Sequence, residues 1–353
     1  MSSPANNSAL PPAAEAPTLN QPLADALAKY ISRSMGRPAS VRIYKKYVGG
    51  FSWLTFGFTL SSDGEERDLI LRLGHDEGLL SPYSARPEYL VLSSLASSAV
   101  PVPEVLWHSD DPTILGAPFL VVTKVRGVVN SPFGKKSQAA VLADKQIGEQ
   151  FVDALAALHN FPWHRTAAKD IAPAATPETA AGIQVERWER MVTESGARPL
   201  PLLRYAIDWL KRHKPIAERL CIVHGDFRSG NFLQDEERIT AVLDWELVHL
   251  GDPHEDIAWA SLKFLSGGGG DLVSGLVSRD VFMTRYQEAT GIVVSEATLK
   301  FYEVLSLVKI CAINLKAAGR VETGKAPDVR MTSMGFGLPG LQLEMLRIIG
   351  RTS

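Results

Sequence analysis

Two hydrophobic patterns divide this chain. Between residues 41 and 123 the apolar positions form short runs with strand-like spacing, and a helical period replaces them after residue 126. In the first part we predict strands at 41–47, 54–60, 68–73, 105–108 and 119–123. A helix from Pro22 to about Met35 precedes them, a second from Pro87 to Ser98 interrupts them, and Asp63-Gly64 supplies a hairpin turn. This pattern predicts a small, mostly antiparallel sheet with one inserted helix.

In the second part, apolar residues recur every three or four positions, as on the buried face of a helix. We predict helices at 141–159, 183–193, 202–214, 256–264, 281–290, 296–318 and 341–349, and short strands at 222–223 and 240–243. Residues 161–179 and 319–340 are predicted loops, and 267–270 is a predicted flexible turn. The predicted fold class is α+β and bilobal, with a small sheet lobe, a hinge near residues 123–127, a larger helical lobe and a cleft between the lobes.

The length of 353 residues exceeds what one hydrophobic core usually supports, which agrees with two lobes. We place the first lobe at residues 21–125 and the second at residues 126–353. Residues 1–20 are rich in Pro, Ala and Ser, and we expect them to form a disordered tail.

Composition narrows the classes of partner. The net charge of −2 creates no field that would favour nucleic acid or an anionic membrane. No apolar run reaches the roughly 18 residues of a membrane span, and the N-terminus lacks the pattern of a signal peptide. The two cysteines, Cys221 and Cys311, suit a reducing compartment. We therefore expect a cytoplasmic protein without a nucleic-acid or membrane partner, and the pattern leaves its oligomeric state open.

The segment from Cys221 to Trp259 carries the candidate chemistry. Asp226 follows a short strand and a glycine, Asn231 comes five residues later, and Asp244 ends the next strand. Asp, Asn and Asp on loops beside neighbouring strands are typical of a site for Mg²⁺ and ATP. We assign Asp226 as the base that takes a proton from an acceptor hydroxyl, and Asn231 and Asp244 as ligands of the metal.

One alternative uses the same segment differently. His224, Asp226, Asn231 and Asp244 also have the chemistry of ligands for the metal pair of a hydrolase. The chain has only eight His, and no other His pair at ligand spacing would complete such a site. This alternative predicts release of phosphate from simple esters without ATP.

The motifs carry a family resemblance. His224-Gly225-Asp226, with Asn231 five residues after the aspartate, is followed by Asp244-Trp245-Glu246 and by a Gly-Asp-Pro triplet at 251–253. From about Leu23 onward the chain resembles the aminoglycoside phosphotransferase and choline kinase-like family, which has a protein-kinase-like fold. It is most similar to the kinase-like domains attached to some acyl-CoA dehydrogenases.

The resemblance implies further nucleotide-site residues in the first lobe. Gly50 and Ser52 stand in the family's nucleotide loop, and Arg72 stands where protein kinases place a lysine that holds the α- and β-phosphates. Glu88 is the implied ion-pair partner of Arg72. Backbone groups near Val122 and Val125 are implied to meet the adenine.

The acceptor is the least defined part of the prediction. Arg228 lies in the catalytic loop, where it meets the substrate or the γ-phosphate, or is a solvated loop cation. Residues 301–353 carry more Lys and Arg than Asp and Glu. This balance favours a small-molecule hydroxyl on a neutral or anionic acceptor, such as a hydroxyacyl thioester, over a polycationic aminoglycoside. The alternative is a nucleotide-binding, pseudokinase-like module with little catalysis, which the Arg at position 72 favours and the intact Asp226, Asn231 and Asp244 oppose.

Overall fold

The structure is a computed structural model that describes residues 18–48, 51–76, 78–129, 145–171, 173–197, 200–266, 271–324 and 329–350. Gly50 and the predicted turn at 267–270 lie outside these ranges, as does the beginning of the helix predicted from residue 141. No helix within these ranges combines the length and the apolar character needed to cross a bilayer.

The N-terminal region is built on one antiparallel five-stranded sheet. Its strands are β1 (Ser40–Tyr47), β2 (Leu54–Ser62), β3 (Glu65–Leu73), β4 (Val105–Ser109) and β5 (Phe119–Thr123), in the order β1-β2-β3-β5-β4. Ser62 pairs with Glu65, so Asp63-Gly64 is a two-residue hairpin turn, as predicted. Both turn residues have positive φ, which matches the right-handed twist of the strands.

Helices pack on this sheet and connect its strands. Helix α1 (Gln21–Met35) buries Leu27 and Ile31 against sheet residues such as Phe58 and Leu71. Helix α2 (Arg86–Leu95) and the short helix α3 (Pro112–Leu115) connect strands. The observed strands and α2 agree with the predicted small sheet with an inserted helix.

The C-terminal region is mainly helical. Its helices are α4 (Lys145–His159), α5 (Ala180–Glu194), α6 (Pro201–Arg212), α7 (His254–Ala260), α8 (Arg279–Thr290), α9 (Glu296–Glu322), α10 (Val329–Met334) and α11 (Leu338–Ile349). Short strands lie between them: β6 (Val128–Val129), β7 (Cys221–Val223), β8 (Phe232–Asp235), β9 (Arg238–Val242), β10 (His249–Gly251), β11 (Leu272–Val273) and β12 (Val277–Ser278). Large buried side chains, including Trp188, Phe151 and Tyr286, form its core.

The chain passes from one region to the other over residues 124–127. Strand β5 ends at Thr123 in the first sheet, and β6 begins at Val128 in a different sheet of order β6-β8-β9. The Thr240 hydroxyl donates to the Arg126 carbonyl at 2.7 Å. The connection therefore lies where the hinge was predicted, while the lobe boundaries of 21–125 and 126–353 stay a prediction.

Two predicted elements are wrong. The helix predicted to residue 264 ends at Ala260, and a 3-10 turn follows at Lys263–Ser266. The loop predicted over 319–340 is largely helical, because α9 continues to Glu322 and α10 and the start of α11 lie within it. Gly335, Gly337 and Gly340 suggest a loop, yet Pro339 is in the first turn of α11, where proline is well tolerated.

The β3–α2 loop (residues 74–76 and 78–85) joins the two regions. Leu79 is buried in a cluster with Ala317 of α9 and Met331 of α10, and Phe51 packs against the same cluster. Lys316 Nζ donates to the Ser81 carbonyl at 3.1 Å. Contacts of this loop with α9 and α10 therefore fix one side of the cleft.

Candidate active site

A β-hairpin brings the candidate metal ligands together. Strand β8 pairs with β9 so that Phe232 lies opposite Val242. The Leu243 N–H then donates to the Asn231 carbonyl at 2.7 Å. Asn231 and Asp244 are therefore neighbours at one end of the hairpin. The loop 224–231, which connects β7 to β8, places Asp226 beside them.

The Asp226 carboxylate is held by three donors. Arg228 Nε and Trp259 Nε1 donate to Oδ1 at 2.9 and 2.7 Å, and Asn231 Nδ2 donates to Oδ2 at 2.6 Å. The Asp226 side chain is 17% exposed. Its orientation is thus fixed before a ligand binds, and each oxygen keeps capacity to accept from a substrate hydroxyl.

Asp256, at the start of α7, holds the backbone of the catalytic loop. Its two carboxylate oxygens accept from the N–H groups of His224 and Gly225 at 2.7 and 2.9 Å. His159 Nε2 lies 3.2 Å from Asp256 Oδ2. Although burial raises the pKa of Asp256, its hydrogen bond and charge interaction with His159 lower that pKa overall. The buried carboxylate is therefore ionised, which strengthens its bonds to the loop.

His224 stabilises the loop through hydrogen bonds that engage both of its ring nitrogens. Its Nε2–H donates to the Leu243 carbonyl at 2.9 Å, and Nδ1 accepts from the Asp226 N–H at 3.1 Å. Burial lowers the pKa of His224, so its ring is neutral at pH 7. With both nitrogens engaged, His224 is not available as a ligand in the metal pair of a hydrolase. No cluster of three or more His, Cys, Asp or Glu suited to a metal ion occurs within the described ranges.

Gly225 is required by the geometry of this loop. Its φ is +82°, and a Cβ atom built on it would lie 2.8 Å from Leu247 Cβ. Only glycine fits both the left-handed backbone and this close approach.

Arg72 links the N-terminal sheet to the catalytic hairpin. Its NH1 lies 2.5 Å from Glu88 Oε1 and its NH2 lies 2.8 Å from Asp244 Oδ1. Burial lowers the pKa of Arg72, but the charges of Glu88 and Asp244 outweigh burial and raise it overall. Burial raises the pKa of Glu88, and the charge of Arg72 limits that rise. The pairing of Arg72 with Glu88 implied by the resemblance is present in the structure.

The backbone at Asp244 is strained. Its φ and ψ are 66° and 58°, in the left-handed region that is uncommon for residues other than glycine. This conformation lets the carboxylate face Arg72 while Trp245 is buried beneath the loop. Strain of this kind is typical of functional sites, where the surrounding structure enforces it.

Glu246 and Ser52 lie on the other side of Asp244. Burial raises the pKa of Glu246 well above its ordinary value, and the charge of Asp244 raises it further. The Ser52 hydroxyl is close enough to oppose that rise. Glu246 Oε2 is buried and has no hydrogen-bond partner among the described residues. Ser52 of the N-terminal region thus lies beside Glu246.

Asn231 and Asp244 fit a hard divalent cation. In the described part of the chain, Asn231 is engaged through Nδ2 and Asp244 through Oδ1. Asn231 Oδ1 and Asp244 Oδ2 therefore remain as an amide and a carboxylate oxygen on adjacent strand ends. Such oxygens are the ligands that Mg²⁺ prefers, with water and phosphate oxygens completing its coordination.

The remaining predicted residues have less defined positions. Val122 is buried in β5, opposite Ile70 of β3, and Val125 lies two residues beyond the end of β5. Both are at the connection between the two regions. Gly50, predicted in the nucleotide loop, lies outside the described residues.

Lys309 is a site residue that the sequence analysis did not identify. It is 2% exposed, lies in the middle of α9, and donates from Nζ to the Gly225 carbonyl. The Trp259 ring is 4.1 Å from Nζ and the Trp188 ring is 5.4 Å away. A lysine within the apolar run 304–312 was the available signal.

The fold and the site together define a class of protein, the kinase-like phosphotransferases. An antiparallel sheet region precedes a helical region, and the cleft between them holds an Asp–Asn loop, a second aspartate and an Arg–Glu ion pair. Residues 45–286 match the family described as the phosphotransferase enzyme family (APH), and the chain belongs to that family.

Solved structures confirm the fold. A Ralstonia eutropha protein provisionally assigned as an aminoglycoside phosphotransferase has a TM-score of 0.69 at 24% identity, with coverage of 92% of this chain and 97% of that one. A thermostable mutant of the aminoglycoside phosphotransferase APH(4)-Ia, in a complex with ADP and hygromycin B, has a TM-score of 0.57 at 18% identity, covering 93% of this chain and all (100%) of that one. The predicted α+β, bilobal, protein-kinase-like fold is therefore correct.

The curated relatives are longer proteins. The mouse (Mus musculus) acyl-CoA dehydrogenase family member 10 is 26% identical over 331 residues, which are 88% of this chain and 30% of the relative. The chicken (Gallus gallus) acyl-CoA dehydrogenase family member 11 is 27% identical over 324 residues, which are 85% of this chain and 40% of the relative. The chain thus spans about a third of their length. The predicted resemblance to kinase-like domains of acyl-CoA dehydrogenases is confirmed.

Proposed function

We propose that this protein is an ATP- and Mg²⁺-dependent phosphotransferase that moves the γ-phosphate to a hydroxyl of a small molecule, with Asp226 as the base. The observation that carries this proposal is the orientation of Asp226 by Arg228, Trp259 and Asn231, directly beside Asp244. Membership of the phosphotransferase family supports the general reaction.

In the proposed reaction the acceptor hydroxyl gives its proton to Asp226 while its oxygen forms a bond to the γ-phosphorus. The bond from that phosphorus to the β–γ bridging oxygen breaks, and ADP leaves. Arg228 donates to the Asp226 carboxylate. In this proposal it also contacts the transferred phosphate. Little covalent work is required of the protein beyond alignment and charge.

The nucleotide would be held from both regions. Asn231 and Asp244 would ligate Mg²⁺, which when bound neutralises charge on the phosphates. Arg72, fixed by Glu88, would hold phosphate oxygens through its forked donors. The loop with Gly50 and Ser52 would cover the phosphates. Backbone groups near Val122 and Val125 would meet the adenine.

For the acceptor we propose a neutral or anionic alcohol, such as a hydroxyacyl thioester, rather than an aminoglycoside. Curated relatives are named as acyl-CoA dehydrogenases, which supports an acceptor from acyl chemistry. Structural neighbours are named for aminoglycoside and macrolide phosphotransfer, yet they share little sequence, so the fold does not select the acceptor. The cytoplasmic location and the absence of nucleic-acid and membrane partners stay predictions.

An acceptor screen tests the proposal. The protein is incubated with Mg·ATP and aminoglycosides, choline, sugars or hydroxyacyl-CoA, and each compound is examined for a mass gain of one phosphate, with EDTA as the control. We expect a gain that EDTA abolishes. Mg·ATP binding without transfer to any compound would instead favour a nucleotide-binding module. Phosphate release from simple esters without ATP would favour a metal-dependent phosphoesterase.

A further inference from the structure

A cavity of about 540 Å³ adjoins the candidate site. Its wall includes Glu88, the partner of Arg72, and Glu246, two residues after Asp244. Helix α5 supplies the opposite wall with Gln184 and Arg187. The volume is that of a pocket for a small ligand, and the two glutamates place one end of it beside the proposed phosphate site.

Arg187 is the unusual residue of this wall. Its side chain is half-buried, and it makes no hydrogen bond or ion pair with the described part of the chain; its contact is with the Trp188 ring, 5.0 Å from the guanidinium carbon. Burial lowers the pKa of Arg187, while the more distant charges of Glu255 and Glu246 oppose that effect. A half-buried guanidinium that no carboxylate of the described residues pairs with can bind a ligand that supplies an oxyanion.

Within the described ranges, two buried side-chain oxygens of this wall have no hydrogen-bond partner. Gln184 is 3% exposed, and its Oε1 has no hydrogen bond within the described ranges. Glu246 Oε2 is also buried without a hydrogen bond to the described residues. Around them Trp53, Leu80 and Trp245 provide apolar surface. An apolar pocket with a few unsatisfied polar groups is the usual form of a small-molecule site.

A chain of contacts joins this wall to the proposed base. Trp188, on which Arg187 packs, lies 5.4 Å from Lys309 Nζ, and Trp259 lies 4.1 Å from the same atom. Trp259 Nε1 donates to Asp226 Oδ1 at 2.7 Å. Arg187 and Asp226 are thus linked through packed side chains of α5, α9 and α7.

On the basis of the function proposed above, we propose that Arg187 binds an oxyanion, a carboxylate or a phosphate, of the acceptor molecule and orients its hydroxyl toward Asp226. Guanidinium groups bind such oxyanions through two parallel hydrogen bonds. Arg187 would therefore determine that the acceptor is anionic, and not neutral or cationic.

The test compares acceptors of matched chain length that differ in charge, and adds CoA esters to separate a carboxylate from a phosphate. Hydroxy acids of three to six carbons, diols and amino alcohols of the same lengths, and the matching hydroxyacyl-CoA esters are assayed with Mg·ATP. We expect phosphorylation of the hydroxy acids if the group is a carboxylate, or of the CoA esters if it is a phosphate, and little of the diols or amino alcohols. Equal use of the diols would overturn the inference but leave the proposed phosphotransferase intact.

Variants at position 187 test whether Arg187 is the residue that binds the oxyanion. Arg187→Gln should raise the KM for the preferred acceptor about 10- to 100-fold, the loss expected for a hydrogen-bonded charge. It should also lower kcat, because the hydroxyl is no longer oriented toward Asp226, and leave the KM for ATP little changed. The acceptor KM of Arg187→Lys should lie between that of the wild type and that of Arg187→Gln. Arg204→Gln is the control, because Arg204 is an exposed residue of α6 paired with Asp208. An unchanged acceptor KM in a folded Arg187→Gln protein would contradict the assignment.

A binding measurement covers the case in which no compound is phosphorylated. The same compounds are titrated in the presence of Mg·AMP-PNP while tryptophan fluorescence is recorded, since Trp53 and Trp245 line the cavity. Binding of the anionic members, lost in Arg187→Gln, would support the oxyanion site even if the proposed reaction failed. Equal binding of diols, or no binding of any member, would overturn it.

Discussion

At the scale of single residues, Arg72 forms ion pairs with two carboxylates. It lies 2.5 Å from Glu88 and 2.8 Å from Asp244. Glu88 is 3% exposed, so its charge has little access to water. A carboxylate in that position is stable only while a cation faces it. Arg72 therefore has a structural role in addition to its proposed role on the phosphates.

We expect Arg72→Met to lower the free energy of unfolding by about 3 kcal/mol at pH 8, because it leaves a buried carboxylate without its partner. The pKa of Glu88 is already raised by burial, and loss of Arg72 raises it further. Between the unfolded pKa of about 4.3 and this higher folded pKa, the folded state binds more protons. The contribution of protonated Glu88 to the stability of Arg72→Met is thus fully present below about pH 4. It is lost as the pH rises through the folded pKa of Glu88. Urea unfolding at pH 6 and pH 8 measures the difference.

The double variant Arg72→Met/Glu88→Gln is the matched control. It removes the carboxylate, so the pH-dependent part of the loss should disappear. If the single and double variants show the same dependence on pH, Glu88 is not the group responsible.

Site residues could be predicted from the sequence when they lie close to one another along the chain. Asn231 and Asp244 lie at one end of a hairpin and Asp226 lies on the loop that leads into it, so their spacing alone indicated that they meet. Arg72 and Glu88 required the family resemblance. Lys309 and Arg187 come from long helices, where only packing decides which cation faces the site. The apolar run around Lys309 is the one local signal that separates it from a surface lysine, and Arg187 has no such signal.

At the scale of elements, helix α9 supports the catalytic loop. Lys309 projects from its middle to the Gly225 carbonyl, the residue before Asp226. Burial lowers the pKa of Lys309, and the charges of Glu255 and Asp226 oppose that effect. The helix therefore holds the loop with a buried donor, while Asp256 of α7 holds the N–H groups of the same loop.

We expect Lys309→Met to lower kcat about 10- to 100-fold, because a small displacement of the loop misaligns the proposed base. Stability should change little, since loss of a hydrogen bond is offset by removal of a buried charge. Steady-state kinetics and thermal unfolding measure the two effects.

Lys300→Met is the control for this variant. Lys300 is on the same helix and also lies over a tryptophan, at 6.0 Å from the Trp209 ring, but it is more than two helical turns before Lys309. A wild-type kcat in Lys309→Met would show that the contact with Gly225 does not position Asp226.

Elements were predictable where their pattern was strong. The strands of the first sheet and helices such as α1 and α6 have clear hydrophobic periods. The short strands β8 and β10 were missed because three or four residues give no reliable period. Residues 319–340 were predicted as a loop from their glycines, but contacts of Met331 with α9 and the β3–α2 loop stabilise helix there.

At the scale of the whole molecule, the β3–α2 loop joins the two regions on one side of the cleft. Leu79 is 3% exposed and packs with Ala317 and Met331, and Phe51 of the predicted nucleotide loop contacts this cluster. Arg320 NH2 also donates to the Asp76 carbonyl at 2.9 Å. The cleft is therefore stabilised by contacts distant from the catalytic loop.

We expect Leu79→Ala to lower the free energy of unfolding by about 2–3 kcal/mol, as for other buried leucines, and to raise the KM for Mg·ATP. The second effect follows because Phe51 loses part of its support. Leu343→Ala, at an exposed position of α11, should change neither. A loss of stability without any change in the KM for Mg·ATP would limit this loop to a structural role.

The general architecture could be predicted because each region has its own hydrophobic period. The acceptor could not be predicted, since the residues around the 540 Å³ cavity come from distant segments such as residues 53, 88, 187 and 246. Their proximity is a property of the folded molecule.

The central claim is that Asp226 transfers the proton in an ATP-dependent phosphotransfer. The most direct measurement is the initial rate of acceptor phosphorylation by Asp226→Ala, with Mg·ATP affinity determined by calorimetry on the same preparation. We predict a rate at least about 100-fold lower, as for loss of a general base, with Mg·ATP affinity nearly unchanged. A rate equal to that of the wild type, in a folded variant that binds Mg·ATP, would contradict the claim.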